Sequence, residues 1–219
     1  MRLAGLVIAS LALTACAAGG HRRGDLPPAA DPSAVIATEL AFARLAQEKG
    51  QWTAFAKYAA DDAVMFVPGP VKAKDWLKKQ QDPAKAVTWQ PYQVWSSCDG
   101  TLAVTKGAWQ KPDGSAGYFT TVWERRGQRD GYKWVLDQGD TLATPLDAPE
   151  FVQAKVADCA RGRSGEVAAA KASNDGTLRY QWTVAEGGAR HLAVEMLVDG
   201  GMKTVLTSDV DPGPGPGPQ

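Results

Sequence analysis

The sequence predicts an α+β chain in which N-terminal helices pack on an antiparallel sheet, with a further helix and a small β appendage at the C-terminal end. Two observations carry this expectation. Up to about residue 81, apolar residues recur at helical spacing. From about residue 86, five Asp-Gly pairs (99–100, 113–114, 130–131, 175–176 and 199–200) punctuate β-branched and aromatic runs, which is a hairpin pattern. A third observation, the apolar segment running into Leu13-Thr14-Ala15-Cys16, marks where the folded part cannot yet begin.

In that segment Arg2 supplies a positive start and Leu3 to Leu13 an apolar stretch. It falls short of the roughly 20 apolar residues that span a bilayer as a helix, and it fits a secretory signal ending at small residues. A cysteine directly after Leu-Thr-Ala resembles the lipobox of bacterial lipoproteins. That resemblance implies cleavage before Cys16, acylation of its thiol with palmitate-like chains, and a periplasm-facing anchor in membrane lipid. An ordinary signal peptide cut near Ala15 or Ala18 is the alternative. Ala17 lacks the aspartate that favours inner-membrane retention in enteric bacteria, so the outer membrane is the expected address. Residues 1–15 thus read as signal peptide. Residues 16–32, rich in Ala, Gly, Pro, His and Arg, read as a flexible tether with an r.m.s. span of roughly 20–25 Å.

Asp31-Pro32 then looks like an N-cap followed by proline at the first helical position. Ile36, Leu40 and Ala43 follow at helical spacing, and Gly50 is a stop. Trp52, Phe55, Ala56 and Ala59 give a second short helix. Val64 to Val67 is a strand closed by Pro68-Gly69-Pro70, and a third helix over about 72–81 carries Trp76 and Leu77. Four strands follow at about 86–97, 101–110, 117–126 and 132–140. Asp147 is expected to cap a fourth helix, with Val152, Val156 and Cys159 on one face. Strands near 177–185, 190–198 and 202–207 complete a segment 144–209, and the Pro/Gly tail 210–219 can join neither helix nor sheet.

Composition excludes several classes. Lys+Arg and Asp+Glu are equal at 24 each, and no basic block exceeds the pairs Arg22-Arg23 and Arg125-Arg126, so there is no electrostatic case for nucleic acid. With Cys16 taken by lipid, Cys98 and Cys159 remain in an oxidising compartment. They form either a disulfide or two separate buried thiols. The only histidines are His21 and His191, outside the main domain, so no imidazole serves as general base there. No Ser-His-Asp or Cys-His pair can be assembled, no cluster has zinc spacing, and neither metal nor cofactor is expected.

Helix, helix, short strand, helix and a four-stranded curled meander is the element order of the nuclear transport factor 2-like superfamily. Several stretches resemble its SnoaL-like branch of unknown function: Tyr58 to Phe66, Leu102 to Trp109, Gly117-Tyr118-Phe119, Val122-Trp123 and Tyr132 to Asp137. The resemblance covers residues 33–143. It implies a cone, a bent sheet wrapped against helices with an apolar pocket at its open end. The related ketosteroid isomerases follow an Ala-Asp-Asp-Ala with three residues and a catalytic aspartate before proline. Counting from Ala60-Asp61-Asp62-Ala63 lands here on Val67, which accepts no proton.

The remaining candidates for proton transfer are Asp137 and Asp140, with Tyr118 or Tyr92 beside them. If Asp137 is buried there its pKa rises; alternatively both aspartates solvate a strand end. Asp61-Asp62 reads as a helix-to-strand turn. Seven of the eight tryptophans lie in this domain, and Trp109, Trp123 and Trp134, with Tyr92 and Tyr118, are the candidates for lining a pocket. Alternation sets Trp109 with Gly107, and Trp134 with Leu136, on common faces. Lys106, Glu124, Arg125 and Arg126 are expected mostly on a solvated face. The C-terminal strands, with Tyr180, Trp182 and Leu192, alternate strongly enough to demand a partner surface.

Three functions are compatible with this reading. The first is non-catalytic binding of a small apolar or amphipathic ligand. The second is an isomerase, dehydratase or cyclase using a carboxylate and a tyrosine. The third is an assembly module, since superfamily members dimerise through the open sheet.

Overall fold

The computed structural model describes residues 30–127, 130–159 and 171–212. The signal segment, Cys16, nearly all of the tether and the tail from residue 213 lie outside the described residues.

Helix α1 (Pro32–Lys49) starts as its sequence dictates. The Asp31 carboxylate accepts the Ser33 N–H at 3.0 Å, and Pro32 occupies a position whose N–H would have no partner. Gly50 ends it with φ 110°, a conformation that favours glycine. Helix α2 (Gln51–Tyr58) has no cap of its own in sequence. Asp82, thirty residues downstream, supplies it by accepting the Thr53 N–H at 3.1 Å and the Thr53 hydroxyl at 2.6 Å. A Cβ on Gly50 would collide with that carboxyl group.

The buried stripe of α1 is Val35, Glu39, Phe42 and Ala46, one residue away from the expected Ile36, Leu40 and Ala43; Leu40 is 46% exposed. An apolar count alone favours the wrong face. The structure turns the other one inward because Glu39 finds three hydrogen-bond donors there.

Strands β1 (Ala59–Phe66) and β2 (Pro70–Lys72), helix α3 (Ala73–Leu77) and the meander β3 (Thr88–Ser96), β4 (Leu102–Gln110), β5 (Ala116–Glu124) and β6 (Lys133–Leu142) follow in order. Asp61 and Asp62 sit within β1 rather than in a turn, ion-paired with Lys74 and Arg126. The helix expected after Asp147 is absent. Residues Gln153–Val156 are strand β7, parallel to β3 at the edge of the sheet. Val152 and Val156 lie four apart, a spacing that an extended strand satisfies as well as a helix does, and the open edge of β3 supplies backbone partners. The resulting seven-stranded sheet has the order β2-β1-β6-β5-β4-β3-β7.

Strands β8 (Lys171–Ala172), β9 (Leu178–Val184), β10 (Arg190–Val198) and β11 (Gly201–Val210) form a second sheet in the order β11-β10-β9-β8. This sheet is the partner surface that its alternation demands. Helices cover one face of the main sheet and the second sheet covers the other. Leu102, Val104, Val122 and Leu136 of the main sheet share one core cluster with Leu178, Tyr180, Leu192 and Val194. The face carrying Lys106 is therefore largely covered rather than open to solvent, and partial burial holds the Lys106 ammonium below its ordinary pKa.

Two turns lock the sheets together. Ser97-Cys98-Asp99-Gly100-Thr101-Leu102 and Ser173-Asn174-Asp175-Gly176-Thr177-Leu178 are copies of one pattern, Ser-x-Asp-Gly-Thr-Leu. In each, the aspartate accepts the serine hydroxyl (2.7 and 2.6 Å) and the threonine N–H (2.9 and 3.1 Å). The copies then bond reciprocally. The Asp99 N–H donates to the Asp175 carboxylate at 2.8 Å and the Asp175 N–H to the Asp99 carboxylate at 3.0 Å. Likewise the Cys98 N–H donates to the Thr177 hydroxyl at 2.9 Å and the Asn174 N–H to the Thr101 hydroxyl at 3.0 Å. Cys98 is also joined to Cys159 by a disulfide, with Cα atoms 5.2 Å apart and a separation of 61 positions in sequence. Closing a loop of that length stabilises the fold by about 2–4 kcal/mol.

Candidate functional site

Main-sheet side chains that point toward the helices define an inner face. Its central rung is polar: Thr105 of β4, Thr121 of β5 and Asp137 of β6 are cross-strand partners, and Met65 of β1 extends the rung. Glu39 enters from α1, fully buried, and accepts from Trp89 Nε1 at 2.8 Å, Thr105 Oγ1 at 2.6 Å and Trp123 Nε1 at 3.1 Å. Burial raises the Glu39 pKa, and these three donors oppose the rise.

Beside this cluster the helices and sheet part to leave a cavity of about 360 Å³, within the range of small-molecule sites. Trp52 and Phe55 of α2, Phe42 of α1, and Trp89, Trp109 and Phe119 of the sheet form its walls. Glycines let the rings lie close to the sheet: a Cβ on Gly117 would strike the Trp109 indole, and one on Gly107 the Phe119 ring. Trp109 is held by its Nε1–H donating to the Tyr118 carbonyl at 2.9 Å.

Asp137 stands at the polar end of this cavity. Its Oδ2 accepts the Thr121 hydroxyl at 2.7 Å, and its Oδ1 has no partner among the described residues. Burial pushes its pKa up to about 7; the Glu39 charge adds to the rise, and the Thr121 hydrogen bond opposes it. The carboxyl group is thus poised to exchange protons near neutrality. Among the described residues the lining offers no second acid or base facing it. Lys111 lies at the mouth over the Trp109 ring, 5.5 Å from its centroid.

The other candidates fall elsewhere. Asp140 is the cross-strand partner of Tyr118, and both point to the outer face. There the Tyr118 hydroxyl donates to the Asp209 carbonyl at 3.2 Å and accepts from Ser208 at 3.1 Å. Tyr118 is therefore neither a wall of the cavity nor a partner of Asp137. Tyr92 occupies a bulge in β3 and faces other surface hollows. Trp123 and Trp134 are wholly buried, one on Glu39 and the other donating to the Phe55 carbonyl at 3.1 Å, and neither lines the cavity. A bulge between Trp134 and Leu136 puts these two on opposite faces, since Trp134 pairs with Trp123 and Leu136 with Val122. Of the five aromatic candidates, Trp109 alone lines the cavity; Trp52 and Trp89 take the places expected of the others. Val67 lines it as well, at the position where the isomerase resemblance puts an aspartate.

The second sheet braces one wall. Beyond Met65 and Asp137 strands β1 and β6 separate, and Arg190 of β10 bridges the gap. Its guanidinium donates to the Pro68 carbonyl at 2.9 Å and the Gly139 carbonyl at 3.1 Å while lying 4.8 Å from the Phe66 ring centroid. A larger hollow of about 480 Å³ beside Gly50 and Pro83 to Ala86 has no aromatic wall and is lined by polar side chains of Gln47, Lys85, Thr88, Gln110 and Lys111. Among the described residues no cluster of three or more His, Cys, Asp or Glu could hold a metal ion, and no helix is long and apolar enough to cross a membrane.

No protein-family model matches this chain, and no curated protein matches it. Solved structures do resemble it. A "putative aromatic ring hydroxylase" from Novosphingobium aromaticivorans shares 16% identity at a TM-score of 0.39, over 53% of this chain and 92% of that one. A "putative Ca/calmodulin-dependent kinase II association domain" from Exiguobacterium sibiricum shares 16% identity at a TM-score of 0.33, over 54% of this chain and 97% of that one. These likenesses concern about half of the chain and assign it no activity.

Proposed function

We propose that this chain is a cell-envelope lipoprotein whose nuclear transport factor 2-like domain, residues 33–143, binds a small, largely apolar molecule in the aromatic cavity. One observation carries the binding reading: a cavity walled by Trp52, Trp89, Trp109 and Phe119 ends at a single carboxyl group with one oxygen unengaged. An apolar body would be buried against the rings, and one polar group would meet Asp137. The order helix, helix, strand pair, helix, meander supports the family reading, as does the pocket position of Val67. Val67 also argues against the isomerase mechanism.

Titration with N-phenyl-1-naphthylamine, a neutral fluorescent probe, tests the binding reading. The expected result is saturable one-to-one binding that Trp109→Ala weakens about tenfold. A linear, unsaturable signal would refute it. The envelope address rests on Leu13-Thr14-Ala15-Cys16, and the Cys98–Cys159 disulfide suits an oxidising compartment. Incorporation of labelled palmitate that Cys16→Ser abolishes is the expected result; label that persists in this variant would refute anchoring there.

A single-residue enzyme is the second reading, favoured by the Asp137 pKa near 7. Its tyrosine partner is lost, because Tyr118 faces away. Dimerisation through the open sheet face is disfavoured, because β8 to β11 already cover that face.

A further inference from the structure

We infer that the cavity selects a cationic amphiphile, an apolar body bearing a protonated amine, with its ammonium group against Asp137 Oδ1. This rests on the binding reading above and narrows it to one class of ligand.

The two ionisable groups on the inner face near the cavity floor are both acids, Glu39 and Asp137. Glu39 is saturated by three donors and fully buried, so a ligand cannot reach it. It acts at a distance, by making the floor more negative. Asp137 keeps one oxygen for an incoming donor. The walls reinforce that sign, because the faces of indole and phenyl rings attract cations. Among the described residues Lys111 is the one cation of the lining; it stands at the mouth, with its own ammonium over the Trp109 ring. Helix α2 and strands β1 and β5 contribute apolar side chains, Gln51 and Thr121, but no base. Asp140 lines the mouth through its backbone and points its carboxyl outward, toward Tyr118 and Arg190.

Above pH 7, where Asp137 is ionised, a carboxylate, sulfate or phosphate head placed against it is repelled, so acidic amphiphiles are disfavoured at that end of the cavity. A neutral alcohol could donate to Oδ1 without repulsion, but it gains nothing from the second carboxylate or from the rings. An ammonium gains from all three.

A pH signature follows. In the free protein Asp137 titrates at about 7, and an ammonium beside it favours the ionised form. Amine binding is therefore full above pH 7 and weakens by up to about tenfold per pH unit below it. Alcohol binding lacks that slope.

Three probes with one apolar body decide the matter: 1-naphthylmethylamine, 1-naphthylmethanol and 1-naphthoic acid, titrated into the full chain by isothermal calorimetry at pH 8 and pH 5.5. At pH 8 the amine is expected to bind at least about tenfold more tightly than the alcohol, and the acid not to bind. Asp137→Asn should remove the amine's pH dependence and its advantage, bringing the amine and the alcohol to similar affinities. Asp140→Asn, on the same strand but the outer face, should change neither, and circular dichroism verifies that both variants fold. Equal binding of amine and alcohol, indifferent to Asp137→Asn, would overturn the cationic selectivity and leave the cavity as a general apolar site. Failure of all three probes would overturn the binding reading itself.

Discussion

Asp137 and Asp140 lie three residues apart on β6, yet they belong to different environments. On the inner face, buried polar groups are organised around acceptors: Glu39 receives three donors, and Asp137 receives Thr121. On the outer face, where the two sheets meet, the polar groups are less well matched. Thr120 Oγ1, both amide atoms of Gln138 and Arg190 Nε are buried without a partner among the described residues. Thr120 and Gln138 are direct cross-strand neighbours, one register step from the Thr121–Asp137 pair that faces inward. A strand thus shows two chemistries at a spacing of one residue. The inner face holds its polar atoms in fixed geometry around an opening. The outer face is a packing surface that tolerates polar atoms, each costing about 1–3 kcal/mol when left unsatisfied.

The contrast can be broken most forcefully at Trp123. Trp123→Ala removes a wholly buried ring and a donor to both Glu39 and Thr105. It should lower unfolding stability by about 3–5 kcal/mol in urea titration. A loss below about 1 kcal/mol would mean that the inner cluster is not the organised one.

Asp137 gives an intermediate effect with a defined sign. Its folded pKa lies above its ordinary value, so the folded state holds the proton more tightly. Stability is then full below about pH 4 and falls as pH rises towards 7. At about 1.4 kcal/mol per pH unit the ceiling is about 4 kcal/mol, and access through the cavity reduces it. Asp137→Asn should therefore raise stability by about 1–3 kcal/mol at pH 8, leave it unchanged at pH 4, and flatten the profile between. Melting temperatures across that range check it, and a destabilised variant at pH 8 would contradict the sign.

The smallest effect belongs to the outer face. Gln138→Leu removes two unpartnered amide atoms from a buried site, and its stability should stay within about 1 kcal/mol of the parent, on the favourable side. A clear loss in urea titration would show that Gln138 is engaged after all, and would erase the difference between the faces.

Much of this architecture is legible in the sequence. Asp31-Pro32 and Gly50 delimit α1, and the Asp-Gly pairs mark turns whose glycines at 100, 114, 176 and 200 adopt positive φ. These are local signals that need no tertiary partner. The failures share a cause, which is that the deciding partner is remote in sequence. Glu39 was hidden because its burial depends on Trp89, Thr105 and Trp123, more than forty residues away. Its position four residues after Val35 and three before Phe42 was the available clue. Trp134 and Leu136 parted at a bulge that no alternation count registers. Tyr118 alternates with Phe119, and which of the two meets the helices is decided by the layers packed on either side of the strand, not by its own residues. The edge strand β7 resembled a helix because its spacing served either structure.

The paired Ser-x-Asp-Gly-Thr-Leu turns carry a consequence for how the molecule meets its own copies. Reciprocal contact, in which one motif gives to its twin what the twin gives back, is the rule by which identical subunits form two-fold dimers. Here both halves of such a contact lie on one chain, about a local axis between residues 97–102 and 173–178. The self-complementary surface closes internally, so neither turn is left to recruit the same motif from a neighbouring molecule.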